Sequence, residues 1–217
     1  MKMNIAFLTI ILCVVASSAF GQKPTSISES PGKSRYADLL EELKNGDTKI
    51  DYKALRIAYS ETKDASPYGA DRDARKAMNA AFNQKKFKEA IKAADEILKS
   101  TYVNADAHAV ESLAYRELGN AQKADFHKAV YLGLLNSIIS GADGKTAQTA
   151  YVVISTDEEY SVMRALGYSV SSQSLSNQGG HTFDILTGTD PKANSPVKIF
   201  FNIDIVWKAE TEMFNPK

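Results

Sequence analysis

Phe87-Lys88-Glu89-Ala90 is answered 34 residues later by Ala121-Gln122-Lys123-Ala124, so that Ala90 and Ala124 fall at equivalent places. The pattern around both blocks is helical, from Asp71 to about Ser140. A recurrence at this period predicts paired antiparallel helices, each pair unable to bury its apolar face alone. About two repeats are visible, fewer than the three or so that form a stable stack by themselves. Some other part of the chain must therefore cover the open face. Two shorter helices are expected ahead of the repeat. Ser34 is a candidate cap for the first, with Leu39, Leu40 and Leu43 as one stripe and Asn45-Gly46 as its end. The second follows Asp51, with Leu55, Ala58 and Tyr59 inward, before Pro67-Tyr68-Gly69 breaks the chain.

The repeat resembles tetratricopeptide hairpins. Gly119-Asn120 stands at the turn between paired helices, Tyr115 at the aromatic position of the first helix, and Ala90 and Ala124 where two helices approach closely. It departs from that pattern as well: the first helix lacks the usual Trp, Leu and Gly, Lys85-Lys86 replaces a Gly-Asp turn, and Tyr102-Val103 replaces the terminal Pro. The segment that follows supplies the cover. Gly141-Ala142-Asp143-Gly144 reads as a turn, Ala150 to Ser155 as a strand, and Thr156 as the cap of a short helix with Asp157, Glu158 and Glu159 in its first turn, ending at Gly167. Tyr168 to Ser174, Thr182 to Thr187 and Val197 to Val206 read as strands. In the last, Ile199, Phe201, Ile203 and Ile205 alternate with Lys198, Asn202 and Asp204. The expected fold is α+β: helical hairpins over residues 34–140, packed against a small, mainly antiparallel sheet with one helix over residues 141–217.

The first 21 residues stand apart. Met1 and Lys2 precede an apolar run from Ile5 to Val15, and Ala16-Ser17-Ser18-Ala19-Phe20-Gly21 supplies small residues for cleavage before Gln22, the pattern of a secretory signal peptide. The apolar run falls short of the roughly 20 residues that span a bilayer. Leu12 ahead of Cys13 does not suit lipidation. An exported protein is expected, periplasmic or extracellular, not a lipoprotein and free of the membrane once the leader is removed. Cys13 is the chain's one cysteine and leaves with the leader, so neither a disulfide nor a thiolate metal site is expected. The 26 basic and 26 acidic residues balance, and the leader removes Lys2 alone. A near-neutral chain argues against nucleic acid or an anionic membrane as its main partner. Gln22 to Lys33, rich in Ser, Pro, Gly and Lys, reads as a disordered tether.

Several blocks in one order resemble DUF4919, a family of uncharacterised bacterial extracytoplasmic proteins. They are Asp51-Tyr52 with Leu55-Arg56 and Tyr59; Phe126-His127-Lys128; Leu134 to Lys145; Tyr151-Val152-Val153-Ile154-Ser155 with Glu158-Glu159-Tyr160; Gly180-His181-Thr182-Phe183-Asp184; and Phe200-Phe201-Asn202-Ile203-Asp204. Ala142 looks like a one-residue insertion into the family's turn. The resemblance implies identity and compartment and no mechanism.

Nucleotide and catalytic motifs are excluded residue by residue. Gly144-Lys145-Thr146 ends like a phosphate-binding loop, but Ile139 stands where that motif needs glycine and the order of helix and strand is reversed. Asp143-Gly144 lacks the alternating carboxylates of a calcium loop. The chain has no Gly-x-Ser-x-Gly elbow and no His-Glu-x-x-His pair, and no cofactor is expected. His108 and His127 lie on the two helices of the second hairpin; a local hydrogen bond for each is the commoner state. The sharpest cluster is His181 with Asp184 and the Asn202/Asp204 pair. A hairpin setting Thr182 and Asp184 beside Phe200 and Asn202 would gather these groups on one sheet face, for cation binding or for acid-base work by His181 oriented by Asp184. A plain polar outer face is the favoured reading of that cluster.

The leading functional expectation is a non-enzymatic module that binds or scaffolds a peptide or protein in a groove, with His108, Tyr115, His127 and Tyr131 as groove candidates. The alternative is a hydrolase or metal-binding protein built on His181, Asp184 and Asp204.

Overall fold

The computed structural model describes residues 31–214. The leader and most of the tether lie outside the described residues. Helix α1 (Pro31–Lys44) opens the fold three residues ahead of Ser34, followed by α2 (Tyr52–Ser60), whose first turn is capped by Asp51 Oδ1 accepting from Ala54 N at 2.9 Å. Two hairpins follow: α3 (Arg72–Asn83) with α4 (Phe87–Ser100), then α5 (Ala105–Glu117) with α6 (Ala121–Ile139). Asp71, Asn104 and Asn120 cap α3, α5 and α6 with side-chain oxygens, satisfying amides that a helix start leaves unpaired.

The two hairpin turns repeat atom for atom in their hydrogen bonds. Lys85 N donates to Phe82 O and Lys86 N to Ala81 O; 34 residues on, Gly119 N donates to Arg116 O and Asn120 N to Tyr115 O. The pivot residue is left-handed in both, at φ 59° for Lys85 and 77° for Gly119. Only the second turn carries the residue suited to that conformation.

The C-terminal part forms a four-stranded sheet in the order β1-β4-β3-β2, from β1 (Tyr151–Val152), β2 (Ser169–Gln178), β3 (His181–Asp190) and β4 (Ser195–Asn202). β2, β3 and β4 run antiparallel, while β1 is parallel to β4. Helix α7 (Thr156–Ala165) joins β1 to β2 across the sheet. It is Ser155 that precedes its first turn, and Thr156 Oγ1 instead donates to Pro67 O. The expected final strand is shorter than the alternation suggested: it stops at Asn202, and Asp204 begins a second C-terminal helix, α8 (Asp204–Phe214). Asn202 Oδ1 accepts from Asp204 N at 3.1 Å, turning the chain from strand to helix.

The helices and the sheet close one main core. Leu43, Leu55, Val130 and Leu134 meet Val153, Val162, Met163, Leu186, Ile199 and Phe201, all almost without exposure. A second, smaller cluster of Met78, Ala90, Ala94, Ile97 and Ala107 fills the first hairpin and its contact with α5. The sheet unit thus covers the helices, as a two-repeat array requires. α6 runs against α2 where Gly133 faces the ring of Tyr52, a position with no room for a Cβ.

Because Lys85 holds a left-handed conformation that costs an ordinary residue about 1 kcal/mol, Lys85→Gly is expected to stabilise the protein by about 0.5–1 kcal/mol, and Gly119→Ala to destabilise it by a similar amount. Urea unfolding of the two variants measures both signs.

Candidate functional site

Polar groups gather at three places. At the first, α5 and α6 bring His108, Glu111 and His127 together, and His108 and Glu111 are fully buried. A spacing of three places both on one face of α5, and the turn at Gly119-Asn120 folds α6 back so that His127 faces them. His108 Nδ1 lies 3.0 Å from His127 Nδ1, and its Nε2 lies 2.9 Å from the carbonyl of Tyr102. A carbonyl only accepts, so Nε2 carries the proton and Nδ1 presents its lone pair to the cluster. Burial pushes His108 down to about 3, so it is neutral at physiological pH. Glu111 Oε2 is 2.6 Å from His127 Nδ1, yet neither carboxylate oxygen has a well-directed hydrogen bond. Burial raises Glu111 above the ordinary carboxylate range, with the neighbouring His127 opposing it. Tyr115 stacks on His127 at 5.7 Å between ring centroids.

The helical histidines therefore meet, although each had been expected to find its own local partner. Glu111 was absent from the expected site residues; its spacing from His108 was the available signal. As a groove residue His108 is excluded, because a side chain without exposure touches no partner. Tyr115, His127 and Tyr131 remain partly exposed.

The second place is a buried carboxyl pair. Asp157, Glu158 and Glu159 are consecutive, and all three are buried. Asp157 accepts from Ala70 N at 2.8 Å, from Asn104 Nδ2 at 3.3 Å, and pairs with Arg75 of α3. Glu158 receives Arg56 of α2 in a bidentate pair, Nε to Oε1 at 2.6 Å and Nη2 to Oε2 at 2.5 Å. Glu159 faces Asp184 on β3, which also accepts from Gln173 Nε2 at 2.6 Å. Burial and then the Asp184 charge push Glu159 up to about 9. It keeps its proton at neutral pH and donates it to Asp184, itself raised by burial.

The third place is His181 with Asp204. His181 Nδ1 is 2.6 Å from Asp204 Oδ2, while Asp204 Oδ1 accepts from Thr182 N at 2.8 Å. Burial opposes ionisation of Asp204, but the Thr182, His181 and Asn202 hydrogen bonds outweigh it and hold its carboxyl below the usual range. A cleft of about 380 Å³ lies alongside, lined by Val152, His181, Phe183 and Asn202 among others. Asp184 does not join them. The pairing is Phe183 with Asn202 and Asp184 with Phe201, one residue away from the expected register. A slip of one exchanges the faces of a strand, so Asp184 points inward with Phe201 while His181 and Asn202 lie on the other face. The expected His181–Asp184 acid-base pair is withdrawn on that geometry.

Helical hairpins capped by a mixed four-stranded sheet define an α+β protein whose ionisable groups are concentrated where its helices and sheet meet. A family model described as Domain of unknown function (DUF4919) matches residues 24–211, and the chain belongs to that family. Neither the curated proteins nor the solved structures hold a significant match.

Glu159 binds a proton in the folded protein that it loses above its ordinary value of 4.5 when unfolded, and folding raises that value to about 9. Between those limits the folded state holds more protons, so stability falls as pH rises. The expected slope is at most about 1.4 kcal/mol per pH unit. Glu159→Gln should flatten it, as measured by urea midpoints across that range.

Proposed function

We propose that this is an exported, non-enzymatic binding or scaffolding protein whose two hairpins hold an extended segment of a peptide or protein partner across α3 and α5. The tetratricopeptide-like period supports a stacked-hairpin surface of the kind that accepts extended segments. One asymmetry carries the reading. α4 presents Lys88, Glu89, Lys92, Asp95, Glu96 and Lys99 to solvent, whereas α3 and α5 expose Ala77, Ala80 and Leu113, the last at 51%. Small side chains let a partner backbone approach, and an exposed leucine offers it an apolar anchor. Tyr115 and Tyr131 are the aromatic groups of the same hairpin left partly open to solvent. Export rests on the leader from Met1 to Gly21 and places the encounter in the periplasm or outside the cell. Near-neutral charge fits a partner recognised by shape and apolar contact rather than by a nucleic-acid backbone.

A photo-crosslinking residue at Leu113, compared with one at Lys92, tests this in the native cell envelope. The expected result is one partner captured at position 113 and absent at 92. Leu113→Glu should weaken that complex at least tenfold, about 1.4 kcal/mol, with the unfolding midpoint unchanged. Equal labelling at both positions, or none at either, ends the proposal.

A further inference from the structure

His108 and Glu111 occupy unusual positions for ionisable groups. In the helical-repeat pattern W-x2-L-G-x2-Y, Tyr115 at the final tyrosine puts His108 at the tryptophan and Glu111 at the leucine. Those are positions of apolar packing between helices. The corresponding interior of the first hairpin is indeed apolar, with Met78, Ala90, Ala94 and Ile97 buried. Burying a carboxylate that lacks a directed hydrogen bond is costly unless something compensates its charge.

We propose that His108 Nδ1, His127 Nδ1 and the Glu111 carboxylate bind one divalent transition-metal ion of the zinc class, which pins α5 to α6. The three donor atoms all lie within 4.8 Å of one another. Zinc bonds of about 2.0–2.1 Å in a tetrahedron separate neighbouring donors by about 3.3 Å. The present separations are 3.0 Å between the imidazoles and 2.6 Å from His127 to Glu111, so binding requires the donors to part by only a few tenths of an ångström. The His108 lone pair already points inward, because its Nε2–H is held by the Tyr102 carbonyl at 2.9 Å. A ligating histidine is commonly oriented by such a bond from its other nitrogen.

The donor set selects the metal class. Two imidazoles and one carboxylate suit zinc and its neighbours, whereas calcium and magnesium demand oxygen. Asp95 of α4 approaches Glu111 and adds negative charge there, which a cation offsets. Three protein ligands leave a fourth position for water. His127 is 13% exposed while Glu111 is 1% exposed, so the ion enters along the His127 edge. The site faces inward and does not depend on the partner-binding surface of α3 and α5.

The test uses the purified mature chain, stripped with chelator and titrated with zinc against a chromophoric competitor. One zinc per chain is expected, together with a rise in the thermal midpoint that EDTA reverses. Glu111→Gln and His127→Ala should each weaken zinc binding at least tenfold, and His181→Ala should leave it unchanged. X-ray absorption of zinc-loaded wild type should show two imidazoles with oxygen and no further nitrogen ligand, a readout that stands even where a variant fails to fold. No stoichiometric zinc, affinity unchanged in both ligand variants, coordination by oxygen alone, or loss of binding in His181→Ala would each overturn the proposal.

Discussion

The bidentate pair between Arg56 and Glu158 is the contact on which the relation of helices to sheet depends. Arg56 is 2% exposed, and its guanidinium also donates to Val152 O at 3.1 Å and to Ser137 Oγ at 3.3 Å. Glu158 accepts in turn from Ile154 N at 2.9 Å. One ion pair therefore touches α2, α6, β1 and α7. Buried pairs of this kind add little net stability, because desolvation consumes most of the attraction. Their effect is on specificity: any other docking of α7 would leave a charge buried without its partner. Asp157 and Glu159 extend the same logic on either side, one toward Arg75 of α3 and the other toward Asp184 of β3.

Once α7 is placed, the difference between the two hairpins acquires meaning. The first is closed by alanine, methionine and isoleucine, and its outer helix is charged. The second has a polar interior: Ser112 Oγ donates to Ala124 O at 2.8 Å, close to His108 and Glu111 in sequence. Similar backbone turns thus enclose unlike interiors. The outward surface across α3 and α5 is suited to contact, and the inward one between α5 and α6 to holding charge. They are separate properties of one pair of helices.

Much of the helical half was legible because caps and periodicity are local. Asp51, Asn120 and the glycine at 119 act within one turn of where they stand, and the 34-residue recurrence reappears as matched hydrogen bonds around Lys85 and Gly119. The sheet was legible in outline and unreliable in detail. Ile199, Phe201 and Ile203 do alternate inward, but Asn202 and Asp204 form the turn into α8 rather than continuing a strand. His181 and Asp184 are three apart, an odd separation that sends side chains to opposite faces of a strand. Register, which no local preference encodes, decided that Asp184 meets Phe201 inside. Glu111 went unnoticed because one glutamate on a helix has many solvated explanations, and its burial follows only from α6 folding over it.

The amino-acid sequence by itself determined the helices, their caps, the paired hairpins, the need for a cover and the family to which the chain belongs. Each follows from interactions between residues close in the chain or from the order of short blocks. Only the tertiary structure decided which ionisable groups lose their water. Arg56 and Glu158 are separated by 102 residues, and His108 and His127 meet through the crossing of two helices. Desolvation is a property of what surrounds a group in space, so the charges that matter most here became visible only when the chain closed around them.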